Sequence, residues 1–431
     1  MIKRLIKAPV AFLLAFFARR VIVRYRPQVV MITGSVGKTS TKDAVAALLS
    51  QHYFVRASEK SYNSEFGMPF TIFGVANPWG NPFAWFAVLR SIIALLVLPN
   101  HYPNMLVLEV GADRPGDLAK LLSIATPDAV VVTRLPEVPV HVEAYASPEQ
   151  VREEEFSPAF ALAPGAPLII GSEDPYARRY ADRTAAQVYL YGEAAEATAR
   201  ILKNNFFIEN GTISGMETEM AIDGAHASLV IRGSVGRTQA LPPAAALALA
   251  HALSIPLVEA ISSLAGYTPP AGRARLLAGI HESIIIDDSY NASPAAVEEV
   301  LHTLADAPRT GRRVAVLGDM LELGRYSVAE HERIGRLVAQ YADVVVSVGI
   351  RARKIAEAAH ASGLPQEHVI SFDDSYAAAD AISKLIGKGD IVLVKGSQSV
   401  RTERIVEALL KNKADQALLV RQELQWKRRG A

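Results

Sequence analysis

The feature that most constrains the fold of this chain is a glycine-containing loop between a buried strand and a helix. Residues 29–33 (VVMIT) are typical of a buried strand, and residues 39–49 continue from the loop as a helix. The loop itself reads Gly34-Ser35-Val36-Gly37-Lys38-Thr39-Ser40. Glycines in such a loop let backbone N–H groups approach phosphate oxygens, and the helix N-terminus adds positive potential. The pattern therefore predicts an α/β protein with a phosphate-binding loop.

The same loop supplies the side chains that ATP requires. Lys38 would reach the β- and γ-phosphates, and the hydroxyl of Thr39 would bind Mg²⁺. Ile32 stands where the usual pattern has its first glycine, and an ordinary glycine turn before a helix is the alternative. The strand–loop–helix context favours the ATP site. We expect the nucleotide to contact Gly34, Ser35, Gly37, Lys38, Thr39 and Ser40.

Alternation of strands and helices extends over most of the 431 residues, which is more than one compact core holds. In the first part we expect strands at 105–110, 129–133 and 168–170, an antiparallel segment at 201–232 and helices at 243–265. A second open sheet is expected from strands at 284–286, 314–317, 344–348 and 391–394. The predicted domains are a basic and apolar helix (1–27), a central P-loop ATPase domain with a mostly parallel sheet (28–270, with an apolar insert at 77–100), a C-terminal Rossmann-like α/β domain (271–413) and a helical tail (414–431).

Composition and charge exclude several classes of protein. The formal net charge is +1, so no whole-chain field attracts nucleic acid. The sequence has no cysteine, which excludes disulfide scaffolds, thiol catalysis and cysteine-bound zinc. The chain is therefore expected to be a multidomain protein of a reducing compartment.

Positive charge is concentrated near the start of the sequence, on both sides of the apolar run 8–18. The basic residues that precede the first acidic residue, Asp43, include Lys3, Arg4, Lys7, Arg19, Arg20, Arg24 and Arg26. The apolar run is too short to span a hydrocarbon core, which needs about 20 residues. A basic and apolar helix of this kind is expected to lie on an anionic membrane surface. A helix that docks on the protein's own body is the alternative.

A second apolar stretch covers residues 83–98 and carries Arg90 near its middle. It is also short for a membrane span, and an arginine is costly at the centre of a bilayer. We expect a buried or interfacial helix here. Lying beside the N-terminal segment, it would complete one membrane-facing patch.

Further motifs connect the chain to a known family. Residues 33–42 resemble the ATP loop of the Mur ligases, the amide-forming enzymes of peptidoglycan precursor synthesis. The similarity continues in the family's order through 62–71 (YNSEFGMPFT), 108–112 (LEVGA), 287–294 (DDSYNASP), 316–324 (VLGDMLELG) with Ser327 and His331, and 394–397 (VKGS). It covers about residues 28–411. The motifs of the second half are most similar to those of the member that joins D-alanyl-D-alanine to a UDP-linked muramoyl tripeptide.

This resemblance implies an activity, cofactors and partners. ATP phosphorylates the terminal carboxylate of a peptide, the amine of a dipeptide attacks the acyl phosphate, and phosphate leaves. The implied cofactors are ATP and Mg²⁺, and the implied substrates are a UDP-linked muramoyl tripeptide and D-alanyl-D-alanine. No nucleic acid is expected as a partner. The implied location is the cytoplasm, with peripheral contact at the inner face of the membrane.

The resemblance also implies roles for individual residues. The implied catalytic residues are Lys38, Glu109, His141 and Lys395, the implied metal ligands are Thr39, Glu109, His141 and Glu155, the implied nucleotide contacts include Arg273, Asp287 and Asn291, and the implied substrate contacts are Asn63 and Ser397. A carboxylate at the end of a buried strand is costly unless a charge is nearby, which favours the ligand role of Glu109. Taken alone, the C-terminal residues also fit helix caps, turns or exposed charges. A lone histidine such as His141 or His331 is more often structural.

Three departures from the family leave alternatives open. About 27 residues precede the ATP domain, where the family has a domain for the uridine nucleotide. Glu155 falls where the family has a lysine modified to a carbamate; a glutamate would supply an anionic oxygen without carbon dioxide, and a solvated helix face is the alternative. Residues 236–239 (GRTQ) replace the family's His-Asn near the adenine base. The alternative functions are an amide ligase or amidating subunit acting on a lipid-linked cell-wall precursor, and a degenerate nucleotide-binding subunit.

Overall fold

The computed structural model describes residues 2–58, 62–78, 81, 83–423 and 426, and the chain forms two compact units. The first unit consists of Met1–Leu202, Glu219–Leu229 and Leu241–Tyr267, and the second of Lys203–Thr218, Val230–Ala240 and Thr268–Ala431. The last division lies close to the predicted boundary between residues 270 and 271. However, two segments of the predicted central domain group with the second unit.

The helices and strands have the following bounds. The helices are α1 Ile2–Tyr25, α2 Lys38–Leu49, α3 Gly67–Phe73, α4 Ala84–Val97, α5 Asp117–Leu122, α6 Pro148–Phe160, α7 Pro175–Ala181, α8 Leu241–Ala252, α9 Leu257–Leu264, α10 Pro294–Asp306, α11 Ser327–Tyr341, α12 Arg353–Ala361, α13 Ser375–Ile382 and α14 Glu403–Leu409. The strands are β1 Gln28–Thr33, β2 Val55–Ala57, β3 Met105–Glu109, β4 Ala129–Val132, β5 Pro167–Gly171, β6 Gln187–Gly192, β7 Ala199–Glu209, β8 Thr212–Ile222, β9 Ala225–Arg232, β10 Arg275–Ala278, β11 Ile284–Asp288, β12 Arg313–Gly318, β13 Val344–Val348, β14 Val369–Phe372 and β15 Ile391–Lys395.

The first sheet has nine strands in the order β2-β3-β1-β4-β5-β6-β7-β8-β9. Neighbouring strands from β2 to the start of β7 run parallel. Its central strands β1, β3 and β4 are almost entirely buried, as parallel strands covered on both faces must be. The register pairs Ile32 with Glu109 and Thr33 with Val132. The carboxyl ends of β1, β3 and β4 therefore lie side by side, at the edge where open α/β sheets bind ligands.

Two hairpins formed by β7, β8 and β9 extend this sheet. Both turns have positive φ at their two central residues, the type I′ geometry, and these residues are Asn210, Gly211, Asp223 and Gly224. The predicted antiparallel segment is therefore confirmed, although it continues the sheet rather than standing apart from it. Beyond β9, backbone hydrogen bonds of 3.0 Å link residues 233–235 to 274–276, which accounts for the grouping of 230–240 with the second unit.

Both predicted apolar segments form helices whose inner faces join the core of the first unit. The shared buried cluster includes Leu14, Ala18 and Val21 of α1 and Val88, Ile92 and Leu95 of α4. On its inner side, α1 is thus a helix docked on the protein's own body. Within the insert at 77–100, residues 79, 80 and 82 lie outside the described residues. Across the described part of the chain, no helix combines the length and apolar character needed to cross a membrane.

The second unit is built on a six-stranded sheet in the order β10-β11-β15-β12-β13-β14. β10 runs antiparallel to β11, and the other neighbours are parallel. The register pairs Asp288 with Lys395, so the carboxyl ends of β11 and β15 are adjacent. The predicted tail at 414–431 contains one short 3₁₀ helix, Lys413–Leu418, and residues 424, 425 and 427–431 lie outside the described residues. The predicted α/β class, with a mostly parallel first sheet and a second α/β sheet, is confirmed.

Candidate active site

The loop after β1 has the backbone of a phosphate-binding loop. Gly34 has a φ of +115°, and Gly37, which precedes the first residue of α2, has a φ of +90°. A Cβ on Gly34 would lie 2.4 Å from the hydroxyl oxygen of Thr133, so only glycine fits beside β4. The amide of Ser35 donates a hydrogen bond to the carbonyl of Arg134 (2.8 Å), which fixes the loop against the next strand.

Lys38, Thr39 and Ser40 form the first turn of α2. The ammonium of Lys38 donates a hydrogen bond to the carbonyl of Gly34, so the side chain folds back over its own loop. Thr39 and Ser40 are buried, and the carbonyl of Ser40 accepts a hydrogen bond from the Tyr267 hydroxyl (3.2 Å). The N-terminus of α2, with its positive potential, is thus held next to a lysine, as a triphosphate requires.

Glu109, the last residue of β3, has the features of a cation ligand. It is only 3% exposed, and its Oε2 atom has no hydrogen-bond partner among the described residues. Burying a carboxylate oxygen without a partner is costly unless a charge compensates it. Mg²⁺ prefers oxygen ligands and takes one or two carboxylates together with water and substrate phosphates. Glu109 therefore fits a Mg²⁺ ligand at the edge of the sheet that carries the phosphate loop.

Gly111, just beyond β3, brings two predicted residues together. A Cβ on Gly111 would lie 3.1 Å from the side-chain nitrogen of Asn63 and 3.7 Å from the ammonium of Lys38. The predicted substrate residue Asn63 therefore lies near Lys38, the predicted catalytic lysine, although the two are 25 positions apart in the sequence. The resemblance implied only a substrate role for Asn63, and its proximity to Lys38 could not be predicted because Asn63 lies on an irregular segment.

Glu155 reaches the phosphate loop from α6, whose N-terminus is capped by Ser147. The Ser35 hydroxyl donates a hydrogen bond to the Glu155 carboxylate, and the Thr33 hydroxyl donates to the Glu155 carbonyl (2.5 Å). The side chain is 1% exposed, which excludes the alternative of a solvated helix face. Burial raises the pKa of Glu155, while Lys38, the bond from Ser35 and His141 oppose this rise.

His141 lies in the loop between β4 and α6 in a left-handed conformation, with a φ of 64°. Its Nε2 atom is 3.5 Å from a carboxylate oxygen of Asp113, and its side chain is 26% exposed. Within the described ranges, no three His, Asp or Glu side chains are grouped as a metal site. The predicted ligand set of Thr39, Glu109, His141 and Glu155 is therefore not assembled into such a cluster.

Tyr145 is a residue of this region that the sequence analysis missed. Its hydroxyl is buried and has no hydrogen-bond partner in the described part of the chain. Burial, together with the negative charges of Glu154 and Glu155, raises the pKa of the Tyr145 hydroxyl. A lone tyrosine in a loop gives no sequence signal, because its surroundings come from α6 and from the loop after β3.

In the second unit, Lys395 and Asn291 meet at the carboxyl ends of β15 and β11. The Lys395 ammonium donates hydrogen bonds to Asp288 (2.6 Å) and to the carbonyl of Asn291 (2.9 Å). Burial lowers the pKa of Lys395, which is 2% exposed. The Asn291 side chain is half-buried and accepts a hydrogen bond from the amide of Gln398 (3.3 Å). The pairing of Asp288 with Lys395 was not expected from the sequence.

Asp287, a predicted nucleotide contact, is one of the last two residues of β11. It is fully buried, and one carboxylate oxygen accepts hydrogen bonds from the amide (3.1 Å) and hydroxyl (2.5 Å) of Ser289. Burial raises the pKa of Asp287 to about 6. The other carboxylate oxygen of Asp287 has no hydrogen-bond partner among the described residues, and its role as a nucleotide contact stays a prediction. Ser397 is also buried, and its hydroxyl accepts a hydrogen bond from the amide of Leu321 (2.9 Å).

The guanidinium of Arg273 lies over the ring of Tyr290, 4.2 Å from its centroid, at the start of the second unit's main segment. Its carbonyl accepts a hydrogen bond from the side chain of Gln239 (3.2 Å), so Gln239 has a structural partner. His331 is fully buried: one ring nitrogen contacts the Ser327 carbonyl (2.6 Å), and the other accepts from the amide of Met320 (3.0 Å). These contacts favour a structural role for His331.

Comparisons with known proteins agree with this geometry. The Mur ligase middle domain matches residues 32–227, and the Mur ligase glutamate ligase domain matches residues 272–398. The UDP-N-acetylmuramoyl-tripeptide–D-alanyl-D-alanine ligase of Bacillus subtilis (strain 168) is 26% identical to the chain, and the match covers 89% of this chain and 76% of that one. The ligase of the same name from Escherichia coli (strain K12) is 28% identical, and the match covers 89% of this chain and 77% of that one. The crystal structure of the MurF ligase from Thermotoga maritima in complex with ADP has a TM-score of 0.75 and 25% identity, and the match covers 92% of this chain and 83% of that one. The chain therefore belongs to the Mur ligase family, with a middle and a C-terminal domain of that family.

Proposed function

We propose that the protein is an ATP-dependent amide ligase that joins D-alanyl-D-alanine to UDP-N-acetylmuramoyl tripeptide through an acyl phosphate. The curated relatives that it matches over most of their length carry that name. The observation that carries the proposal is the buried, unpartnered carboxylate oxygen of Glu109 at the same sheet edge as the phosphate loop with Lys38. Such a site suits phosphoryl transfer, which depends on charge neutralisation and positioning.

In the proposed reaction, the γ-phosphoryl group of ATP moves to the terminal carboxylate of the tripeptide, and ADP is released. The free amine of D-alanyl-D-alanine then attacks the acyl carbon, loses a proton, and displaces inorganic phosphate as the amide forms. Lys38 and the amides of Gly34 to Gly37 bind the transferring phosphoryl group. Mg²⁺, when bound, would neutralise phosphate oxygens, and Glu109 and Thr39 are the residues that would hold it. Asn63, close to Lys38, would orient the acceptor.

We also propose that Glu155 supplies the anionic oxygen that a carbamylated lysine supplies elsewhere in the family. Its support is the hydrogen bond from Ser35 of the phosphate loop and its electrostatic interaction with Lys38 and His141. A carboxylate and a carbamate are both hard oxygen ligands, so the exchange preserves the chemistry of the donor. With His141, Glu155 would hold a second cation or orient Lys38.

In the second unit, we propose Asn291 and Arg273 as nucleotide contacts and Lys395 as the charge that positions the 288–291 loop. Both Asn291 and Arg273 are only partly buried, unlike Asp287, and Arg273 is held by Tyr290. Ser397 lies two residues beyond Lys395 and is proposed to shape the segment that meets the incoming dipeptide, because its hydroxyl and its amide are already hydrogen-bonded to the amide of Leu321 and the carbonyl of Asp319.

A second candidate function keeps the reaction and changes the acceptor, from a nucleotide-linked to a lipid-linked cell-wall precursor. The observation that favours it is the apolar outer surface of α1 and α4, where several large side chains are exposed. An enzyme that works at a bilayer could take its acceptor from there, on the face of the membrane where ATP is available.

The test is amide formation, followed by mass spectrometry, with UDP-linked muramoyl tripeptide, D-alanyl-D-alanine, ATP and Mg²⁺. Omitting any one substrate should abolish the product, and Lys38→Ala should reduce turnover by at least about a hundredfold. Product formation only with a lipid-linked acceptor would favour the second candidate. A rate of ATP cleavage that depends on neither peptide substrate would contradict the proposal.

A further inference from the structure

Helix α4 is apolar on the side that faces solvent as well as on the side that faces the core. Val88, Ile92 and Leu95 point inward, and the outward side chains include Phe86, Ile93 and Val97, with Phe86 70% exposed. Phe83, immediately before the helix, is 78% exposed. A helix that is apolar all round is normally buried all round, so this outer face indicates a further surface that covers it.

Helix α1 shows the same arrangement. Its inward residues belong to the core, whereas Phe12, Leu13, Phe16 and Val23 are exposed. The arginines 19, 20 and 24 are exposed along the same helix, and the Arg20 guanidinium lies over the ring of Phe16, 5.1 Å from its centroid. Arginines next to exposed aromatic rings can place their charge at the rim of an apolar surface.

The two helices are fixed to each other at their C-terminal ends. The Arg24 guanidinium donates hydrogen bonds to the carbonyls of Leu96 and Leu98 (3.2 Å for Leu98), and the Tyr25 hydroxyl donates to the carbonyl of Leu95 (2.8 Å). These bonds satisfy carbonyls at the end of α4 that the helix itself leaves open. The apolar faces of α1 and α4 therefore belong to one connected part of the first unit.

Around these helices the sequence has no negative charge. No Asp or Glu occurs before Asp43, and none occurs between Glu65 and Glu109. In contrast, Lys7, Arg26 and Arg90 add exposed positive charge. The helices α1 and α4 are therefore both apolar and cationic, with no carboxylate of their own, although the whole chain carries a net charge of only +1.

We propose that the outer faces of α1 and α4 form a docking surface for an anionic phospholipid bilayer. Apolar side chains enter the boundary of the acyl chains, and the arginines bind lipid phosphates. A second copy of the chain fits less well, because a symmetric contact would bring like-charged arginines together with no carboxylate on α1 or α4 to pair with them. This proposal concerns location and is independent of which acceptor the enzyme uses.

The experiment is co-sedimentation of the full chain with vesicles of phosphatidylcholine alone or mixed with phosphatidylglycerol. Deleting α1 would be uninformative, because its inner face is part of the core. The informative variants are Phe86→Ser with Ile93→Ser, which reduces the apolar face, and Arg19→Glu with Arg90→Glu, which reverses charge. The matched controls are Val258→Ser, an exposed valine of α9, and Arg336→Glu, an exposed arginine of α11.

We expect the protein to bind the anionic vesicles and to bind less as salt increases. The double serine variant should lower binding about tenfold or more, and the charge-reversed double variant should lower it about 25-fold or more, roughly fivefold for each arginine, while both controls bind like the original protein. Amide formation in solution should stay unchanged in all variants, which separates this test from that of the proposed function. The proposal would be overturned by absence of binding, by equal binding to both kinds of vesicle, or by a concentration-dependent dimer that Phe86→Ser disrupts.

Discussion

The first unit holds two buried carboxylates next to its phosphate loop, and their surroundings differ. Glu109 leaves one oxygen without a partner among the described residues, whereas Glu155 is hydrogen-bonded by the loop itself. Removing charge from each should therefore have different effects. Glu109 should matter for the cation, and Glu155 for the loop and its lysine.

Changing Glu109 to glutamine should weaken the use of Mg²⁺. The amide is similar in shape but a much poorer ligand, so the Mg²⁺ concentration for half-maximal activity should rise about tenfold or more. Titration of activity with Mg²⁺ measures this directly. Glu153→Gln, at an exposed position of α6 paired with Arg183, is the control that should leave the titration unchanged. An unaltered Mg²⁺ titration in Glu109→Gln would remove Glu109 from the cation site.

Changing Glu155 to glutamine should reduce activity and stabilise the ligand-free protein at neutral pH. Burial raises the pKa of Glu155 above its ordinary value of 4.5, so the folded protein favours the protonated side chain. Stability is full below 4.5 and falls as the pH rises towards the folded-state pKa, because the unfolded chain releases its proton first. The glutamine variant avoids this loss.

Thermal melting across pH tests this prediction. The melting temperature of Glu155→Gln should exceed that of the original protein at neutral pH, and the difference should vanish below pH 4.5, where neither side chain is charged. Activity should fall about tenfold to a hundredfold. A lower melting temperature of the variant at neutral pH would contradict the raised pKa of Glu155, and full activity would show that the reaction does not use this carboxylate.

Replacing Glu155 by lysine tests the proposed equivalence with a carbamate. The lysine amine can condense with carbon dioxide and regain an anionic oxygen, whereas an arginine cannot. Glu155→Lys should therefore be weakly active and should recover with added bicarbonate, and Glu155→Arg should not recover. If bicarbonate leaves the lysine variant unchanged, the site does not accept a carbamate in place of the carboxylate.

At the residue scale, the sequence predicted which residues lie at the sheet edges better than it predicted how far each of them is buried. Lys38 and Glu109 lie at the ends of β-strands or helices, where the pattern itself indicates a ligand edge. The burial of Asp287 could not be predicted, because it depends on how residues 287–291 fold back over the strand. The hydrogen bond between Ser35 and Glu155 joins residues 120 positions apart, and only the fold brings them together.

Among the elements, the loop between β1 and α2 is held by the shape of its neighbours. Gly34→Ala should place a Cβ 2.4 Å from the Thr133 hydroxyl oxygen in a backbone conformation with a φ of +115°. We expect a clear fall in melting temperature and at least about a tenfold loss of ADP affinity, because the amides move away from the phosphates.

Gly116→Ala is the matched control for this loop. Gly116 also has a positive φ, +85°, but a Cβ there would have nothing within 4 Å. Only backbone strain should remain, about 1 kcal/mol of stability, with ADP affinity unchanged. Calorimetric titration with ADP compares the two variants. Equal losses of affinity would show that the effect of Gly34→Ala is not specific to the contact with Thr133.

Elements with a strong local signal were predicted well. The parallel strands are continuous apolar runs, and the hairpins β7–β9 have Asn-Gly and Asp-Gly turns. The extension of the first sheet by these hairpins was not predictable, because either a separate sheet or an added edge satisfies the same alternation. For α1 and α4, the sequence predicted the apolar character of the helices. It could not predict which of their residues remain exposed, because that depends on how the helices pack on the core.

In the molecule as a whole, both units carry predicted site residues at the carboxyl ends of parallel strands. The first unit carries the phosphate loop, Glu109 and Glu155, and the second carries Lys395 and Asn291. The order of strands in each sheet followed from neither periodicity nor motif, since it depends on long-range pairing. The family resemblance supplied what the local pattern could not, namely the substrates and the reaction that both units serve.

The most direct test of the central claim follows oxygen from the acceptor. The tripeptide is labelled with ¹⁸O in its terminal carboxylate, and the released inorganic phosphate is analysed by mass spectrometry during ligation to D-alanyl-D-alanine. An acyl phosphate intermediate transfers a carboxylate oxygen to phosphate, so phosphate should carry one ¹⁸O for every amide formed. Unlabelled phosphate would contradict the acyl phosphate intermediate. Phosphate released without the amide would show that the protein only hydrolyses ATP.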